Sequence, residues 1–264
     1  MDILMLAMTA LAIAALIALV VVLARAGSPR RASADVDAAA SGSRSEDRGG
    51  ATVRAAGWIA AIWAVACGAA ALYVVLTTLL APAVTMTIPV QTFWPQLPAG
   101  TVLEGTTATR EQGGFVSADV TLLNLSTGAR VLWATSQALW CIVPGTIAWL
   151  VAVAAFRLRA GHPFTPLLAR GAAITAAVVT LGGVAAQVLG DLAGTIAAGE
   201  LLRWESAQYP DVPGVEDVLQ AWWPQAGFEV TLPFWPLAAG FAFAALAALV
   251  RHGSRLQRDT EGLV

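Results

Sequence analysis

Five long apolar runs constrain this chain more than any other feature of its sequence. They extend from Ile3 to Ala24, from Gly57 to Leu80, from Val131 to Phe156, from Ala172 to Leu192 and from Leu232 to Val250. Each is about 19 to 26 residues long, and about 20 helical residues cross the hydrocarbon core of a bilayer. A backbone in lipid has to satisfy its own hydrogen bonds, so such runs have to be helices. The composition agrees: 58% of residues are hydrophobic and 12% are charged, about half the charge of an ordinary soluble domain. The expected fold class is an all-α membrane protein, a bundle of five transmembrane helices.

Arginine sets the orientation. Of the 15 basic residues, all are arginine. Twelve fall on one face if five helices alternate: Arg25, Arg30, Arg31, Arg44, Arg48 and Arg54 after the first run, Arg157, Arg159 and Arg170 between the third and fourth, and Arg251, Arg255 and Arg258 in the tail. The other face holds Arg110, Arg130 and Arg203. Cytoplasmic loops carry the excess of basic residues, which places the N-terminus outside and the C-terminus in the cytoplasm of a bacterial cell. The first run lacks a basic residue before it and is long for the apolar region of a signal peptide, which stands as the alternative to a first span.

The expected organisation is an N-terminal helix (1–25), a flexible cytoplasmic linker (26–54) and a four-helix membrane domain (55–264). Two loops of that domain, 81–130 and 193–231, lie outside the cytoplasm. In the first, Val84–Val90 and Phe115–Leu122 alternate and are rich in β-branched residues. That pattern predicts a small antiparallel sheet, an extracytoplasmic β-containing cap. In the second, Val215, Val218, Leu219 and Trp222 fall at helix spacing and predict a short amphipathic helix. Trp94, Trp204, Tyr209, Trp222, Trp223 and Trp235 suit an interfacial aromatic belt, with ligand stacking as the alternative.

The polar residues that could carry function are few. Asp191 is the only acidic residue inside an apolar run, and an intramembrane charge is a functional candidate. Its position predicts a site near the outer end of the fourth helix, with Arg130 and Arg203 able to approach. Gln187 lies one turn earlier on the same face and could bond to a neighbouring helix. Gly190-x-x-x-Gly194 permits close helix approach. Pro144-Gly145 predicts a kink in the third helix. Thr165 and Pro166 fit the cap and first position of the fourth. Cys67 and Cys141 read as small apolar residues rather than a disulfide or metal pair. His162 has no partner at ligand or catalytic spacing, and the chain carries no nucleotide, zinc or serine-hydrolase motif. No catalytic, cofactor or metal residue is therefore assigned.

The turn Gly161-His162-Pro163-Phe164 and the charged tail Arg251–Val264 resemble a family of bacterial, actinobacterial-type multi-pass integral membrane proteins, a domain of unknown function. The likeness covers about four-fifths of the chain, roughly Arg54–Val264. Members look like four-helix proteins, so the first run and its linker depart from the pattern. The resemblance implies no enzyme activity. The expected function is non-enzymatic, with a structural, sensory or regulatory role. The alternative is a small transporter or channel, for which Asp191, Gln187 and the Pro144 kink would be the motive. The expected partner is the lipid bilayer and not nucleic acid, with a membrane-protein partner or homo-oligomer left open.

Overall fold

A computed structural model describes residues 41–261, apart from 99, 103, 161–164 and 216. The run Ile3–Ala24, the linker up to residue 40 and the Gly161–Phe164 turn lie outside the described residues. The elements in chain order are α1 (Ser41–Leu80), β1 (Ala83–Phe93), β2 (Phe115–Leu123), α2 (Thr127–Arg159), α3 (Pro166–Ala177), a π-helical turn (Val178–Gly182), α4 (Gly183–Leu202), α5 (Val218–Trp222) and α6 (Phe234–Glu261). Four helical stretches are long and apolar enough to cross a membrane: Gly50–Leu80, Thr127–Arg159, Pro166–Leu202 and Phe234–Ser254. They match the second to fifth apolar runs.

The helices outrun the apolar runs. The helix expected to close near Leu192 continues to Leu202, because Ala193, Ala197, Ala198 and Leu202 are buried against a sheet. Bilayer thickness bounds a run of lipid-compatible residues, but protein contacts bound the helix. At the other end of the chain, α1 starts at Ser41, so the second half of the expected linker is helical. Extending an existing helix costs far less than nucleating one, and the apolar part of α1 supplies the nucleus. α2 runs without a break through Pro144. At the start of α3, Thr165 caps by accepting from the Leu168 N–H at 3.3 Å, and Pro166 follows it.

The chain divides into two units, and α1, α2 and the Pro166–Leu202 span each contribute to both. The first unit joins residues 1–71, 140–183 and 234–264. Its helices meet at small residues. A Cβ on Gly145 would lie 2.9 Å from Cys67 Cβ, one on Gly57 would lie 3.1 Å from Ala155 Cβ, and one on Gly183 would lie 2.7 Å from Pro236 Cβ. Leu150, Ala172 and Ala247 form a small core, with Leu168 and Phe243 against it. Large apolar side chains instead face outward: Val65 is 73% exposed and Phe241 76%.

The second unit, residues 72–139 and 184–233, holds the sheet. β1 and β2 pair antiparallel, from Ala83 opposite Leu123 to Pro89 opposite Ser117, then at Phe93 opposite Phe115 after an irregularity. The expected strands are both present and paired. Val84, Met86, Ile88 and Leu122 point into the core with Leu125, Ala129 and the alanines of α4. Thr85 and Thr87 take the other face, where Thr85 and Thr121 share a 2.9 Å hydrogen bond and Thr87 Oγ1 donates to Asp119 Oδ1 at 2.6 Å. Period-two alternation of buried and exposed residues is what a half-buried strand requires. Past Pro89 the free edge of β1 gains a short third partner. Gln91 N–H donates to Gln225 O at 2.9 Å and Gly227 N–H to Pro89 O at 3.1 Å, around a bridge between Val90 and Ala226. Asn124 follows β2 with φ 57°, a left-handed conformation that asparagine tolerates, and turns the chain toward α2.

Candidate functional site

Asp191 lies eleven residues before the end of α4 rather than at its terminus. It is half-buried. Both carboxylate oxygens are engaged. Gln187 Nε2 donates to Oδ1 at 2.8 Å and the Thr231 backbone N–H donates to Oδ2 at 2.7 Å. Gln187 thus bonds within its own helix rather than across to another, as an i, i+4 pair allows. The bond to Thr231 fastens the segment that leads into α6. That segment is also tied to β1 through Gln225 and Gly227.

Neither arginine that could have approached Asp191 does so. Arg130 is spent on backbone carbonyls: Nε donates to Leu125 O at 3.2 Å, Nη1 to Ala81 O at 2.6 Å and Nη2 to Pro82 O at 2.8 Å. The guanidinium fork therefore holds the exit of α1 against the entry of α2. A fixed planar array of donors suits several carbonyls at once. Arg203 lies exposed just past α4.

A third charged group follows the same rule. Glu200 Oε2 accepts from the Ser126 backbone N–H at 3.0 Å, while Ser126 Oγ accepts from Ala129 N–H at 3.3 Å. A carboxylate from α4 and a hydroxyl together satisfy the start of α2, where amides lack helical partners and negative charge is favoured. Ser136, 1% exposed, donates to Ala186 O at 2.7 Å and joins α2 to α4. The Gly190-x-x-x-Gly194 pattern serves contact on two sides. A Cβ on Gly190 would lie 2.8 Å from Ser136 Oγ, and one on Gly194 would lie 2.8 Å from Thr87 O.

The aromatic residues divide by role. Trp222 Nε1 donates to Gln96 O at 2.9 Å and Trp223 Nε1 to Leu202 O at 3.0 Å, so α5 is pinned at two places. Asp217 caps α5 by accepting from Leu219 and Gln220 N–H. Trp94 stacks on Phe115 with ring centroids 5.1 Å apart and planes 2° from parallel. The Arg110 guanidinium lies 4.8 Å from the Trp94 ring centroid and donates to Gly113 O at 2.7 Å. This stack closes the long β1–β2 loop yet leaves Trp94 47% and Phe115 55% exposed.

Sequence reasoning isolated Asp191 and Gln187, and the structure brings the two together. It did not find Arg130, Glu200 or Ser136 as fasteners. Their acceptors and donors are mostly backbone atoms distant in sequence, which leave no residue-type signature. Ser126 could have been found, since a serine just before a helix is a capping signal. Among the described residues no group of His, Cys, Asp and Glu is placed to hold a metal ion, and Cys67 and Cys141 are free thiols. No family model matches the chain, and no curated protein or solved structure matches it. The class defined by the fold is a multi-helix protein with four helices able to cross a membrane and a small two-stranded sheet.

Proposed function

We propose that this chain is a non-enzymatic, five-span protein of the bacterial cell membrane that acts through contacts of an extracytoplasmic cap, in a structural, sensory or regulatory role. The arginine distribution supports the orientation, with the two loops outside. The resemblance of the Gly161–Phe164 turn and the tail to the multi-pass family supports a membrane setting. One observation carries the functional reading: Asp191, the one acidic residue of the apolar runs, spends both oxygens on Gln187 and Thr231. A carboxylate on an ion path has to release and take up its ligand, whereas this one fastens a loop. Arg130 and Glu200 do the same work at the ends of α1 and α2. The result is a cap held by charge-assisted hydrogen bonds, which are the stronger kind, with Trp94 and Phe115 left exposed on it.

The test has two parts. Purified protein in liposomes should give no proton or cation flux above protein-free liposomes. In cells, a photo-cross-linker in the β1–β2 loop should give a discrete protein adduct that is lost in Trp94→Ala and Arg110→Ala. Flux that disappears in Asp191→Asn would replace this reading with a small transporter or channel.

A further inference from the structure

In the first unit, α1 and α2 leave an apolar groove of about 370 Å³, lined on one side by Ala64, Val65 and Gly68 and on the other by Ile142, Thr146 and Trp149. Two glycines set its shape. Gly145 brings the helices together, since a Cβ there would lie 2.9 Å from Cys67 Cβ, whereas a Cβ on Gly68 would meet nothing within 4 Å. The notch over Gly68 is open, and Val65, Ile142 and Trp149 are exposed around it. The one hydroxyl on the lining, Thr146 Oγ1, is already bonded to Ile142 O at 2.9 Å. The groove therefore suits an apolar occupant with no polar demands.

We propose that the groove seats the chain's own first apolar run, Ile3–Ala24, packed as a helix against α1 and α2. The inference rests on the five-span reading given above. Depth is the first argument. Ala14 stands at the middle of Ile3–Ala24, Gly68 at the middle of Gly57–Leu80 and Gly145 close to the middle of Val131–Phe156. Runs centred on one hydrocarbon core bring those three residues to one level. Shape is the second. Ala7, Ala10, Ala14 and Ala18 recur at three- and four-residue steps, which lines them along one face of a helix. Ala64-x-x-x-Gly68 offers a small-residue face on α1. Close approach of small faces is how helices associate in lipid. Reach is the third. Residues 25–40 join the run to Ser41, and an extended tether of that length spans on the order of 50 Å. That is enough for the run to return along α1, and a tether of this kind holds the two at an effective concentration in the millimolar range.

The test uses the full chain in native membranes, with Cys67→Ala and Cys141→Ala as background and a protease site inserted in residues 28–40. Ala14→Cys is paired with Val65→Cys, or with Leu181→Cys, which is 70% exposed in the same unit. After oxidation and cleavage, the first pair should hold its two fragments together within one chain, at least about fivefold more than the second, as a tethered contact requires. Gly68→Leu, which fills the notch, should reduce that link at least about fivefold. Links only between two chains would assign the groove to a second copy and overturn the proposal. No link, with Val65→Cys labelled by a lipid-borne maleimide, would assign it to lipid and overturn it as well. A link unchanged by Gly68→Leu would also reject this seat. Loss of the first run from the intact mass would sink the five-span topology itself, which distinguishes that failure from failure of the docking.

Discussion

Ser136 on α2 and Gly190 on α4 form one contact: the hydroxyl reaches the Ala186 carbonyl at 2.7 Å only because Gly190, one turn on, has no side chain, and a Cβ there would lie 2.8 Å from Ser136 Oγ. Gly190→Ala should therefore destabilise the protein in detergent by about 1–3 kcal/mol, the usual cost of overpacking. Gly199 is the control on the same helix, since a Cβ there meets nothing within 4 Å. Gly199→Ala should raise stability by about 0.5–1 kcal/mol, the helix preference of alanine over glycine. Thermal unfolding of the two variants should move in opposite directions.

Asp191 holds Thr231 and Gln187 through its two oxygens. Asp191→Ala leaves a backbone N–H without its acceptor, and should cost about 1–3 kcal/mol. Asp191→Asn keeps one acceptor and should cost less, about 1 kcal/mol. A protease-accessibility assay on the segment Gln225–Pro233 should show loosening in the order alanine, asparagine, wild type. Equal protection in all three would contradict the fastening role.

Thr175 is fully buried, and its hydroxyl has no hydrogen-bond partner among the described residues. Thr175→Val keeps the shape and removes the unpaired group. Its stability should equal or exceed the wild type by about 1 kcal/mol, since an unsatisfied buried hydroxyl costs that order. A clear loss in unfolding temperature would show that the hydroxyl has a partner.

The π-helical turn Val178–Gly182 carries Thr180 toward α6, where a Cβ on Gly240 would overlap the Thr180 hydroxyl. Gly240→Ala alone should be destabilised by about 1–3 kcal/mol. Combining it with Thr180→Ala should recover about 1 kcal/mol or more as coupling energy, because residues in direct contact are not additive. A double-mutant cycle by thermal unfolding measures it, and additivity would reject the contact.

Topology is open to reporter fusions. If five helices alternate, twelve of the fifteen arginines fall on one side, and fusions at Ser43, Gly100 and Val264 should read cytoplasmic, external and cytoplasmic, as the basic-loop bias predicts. An external signal at Val264 would remove the five-span arrangement.

Much of this fold is legible in the sequence because its signals are local. Apolar length marks the four described helices able to cross a membrane, alternation marks β1 and β2, and Thr165-Pro166 marks a helix start. What escaped is non-local. The extension of α4 to Leu202 depends on Ala193, Ala197 and Ala198 meeting a sheet from elsewhere in the chain. The targets of Arg130 and Glu200 are backbone groups, and every residue has those. Asp191 was conspicuous by charge in an apolar run, yet one of its two partners is the amide of Thr231, which no charge pattern could indicate.

The additional partner gained along β1 has a consequence for how the protein is made. From Ala83 to Pro89, and again at Phe93, the strand pairs with β2, and β2 is synthesised only a short stretch later. Around Val90, Pro89 O and Gln91 N–H wait for Gly227 and Gln225. Roughly 100 residues separate the end of β2 from that segment, and at about 5–20 residues per second the ribosome needs on the order of 5–20 seconds to deliver it. In that interval the last third of β1 has an open edge. Closing it requires the Pro166–Leu202 helix, which lies between β2 and Gln225 in the chain, to have been synthesised first.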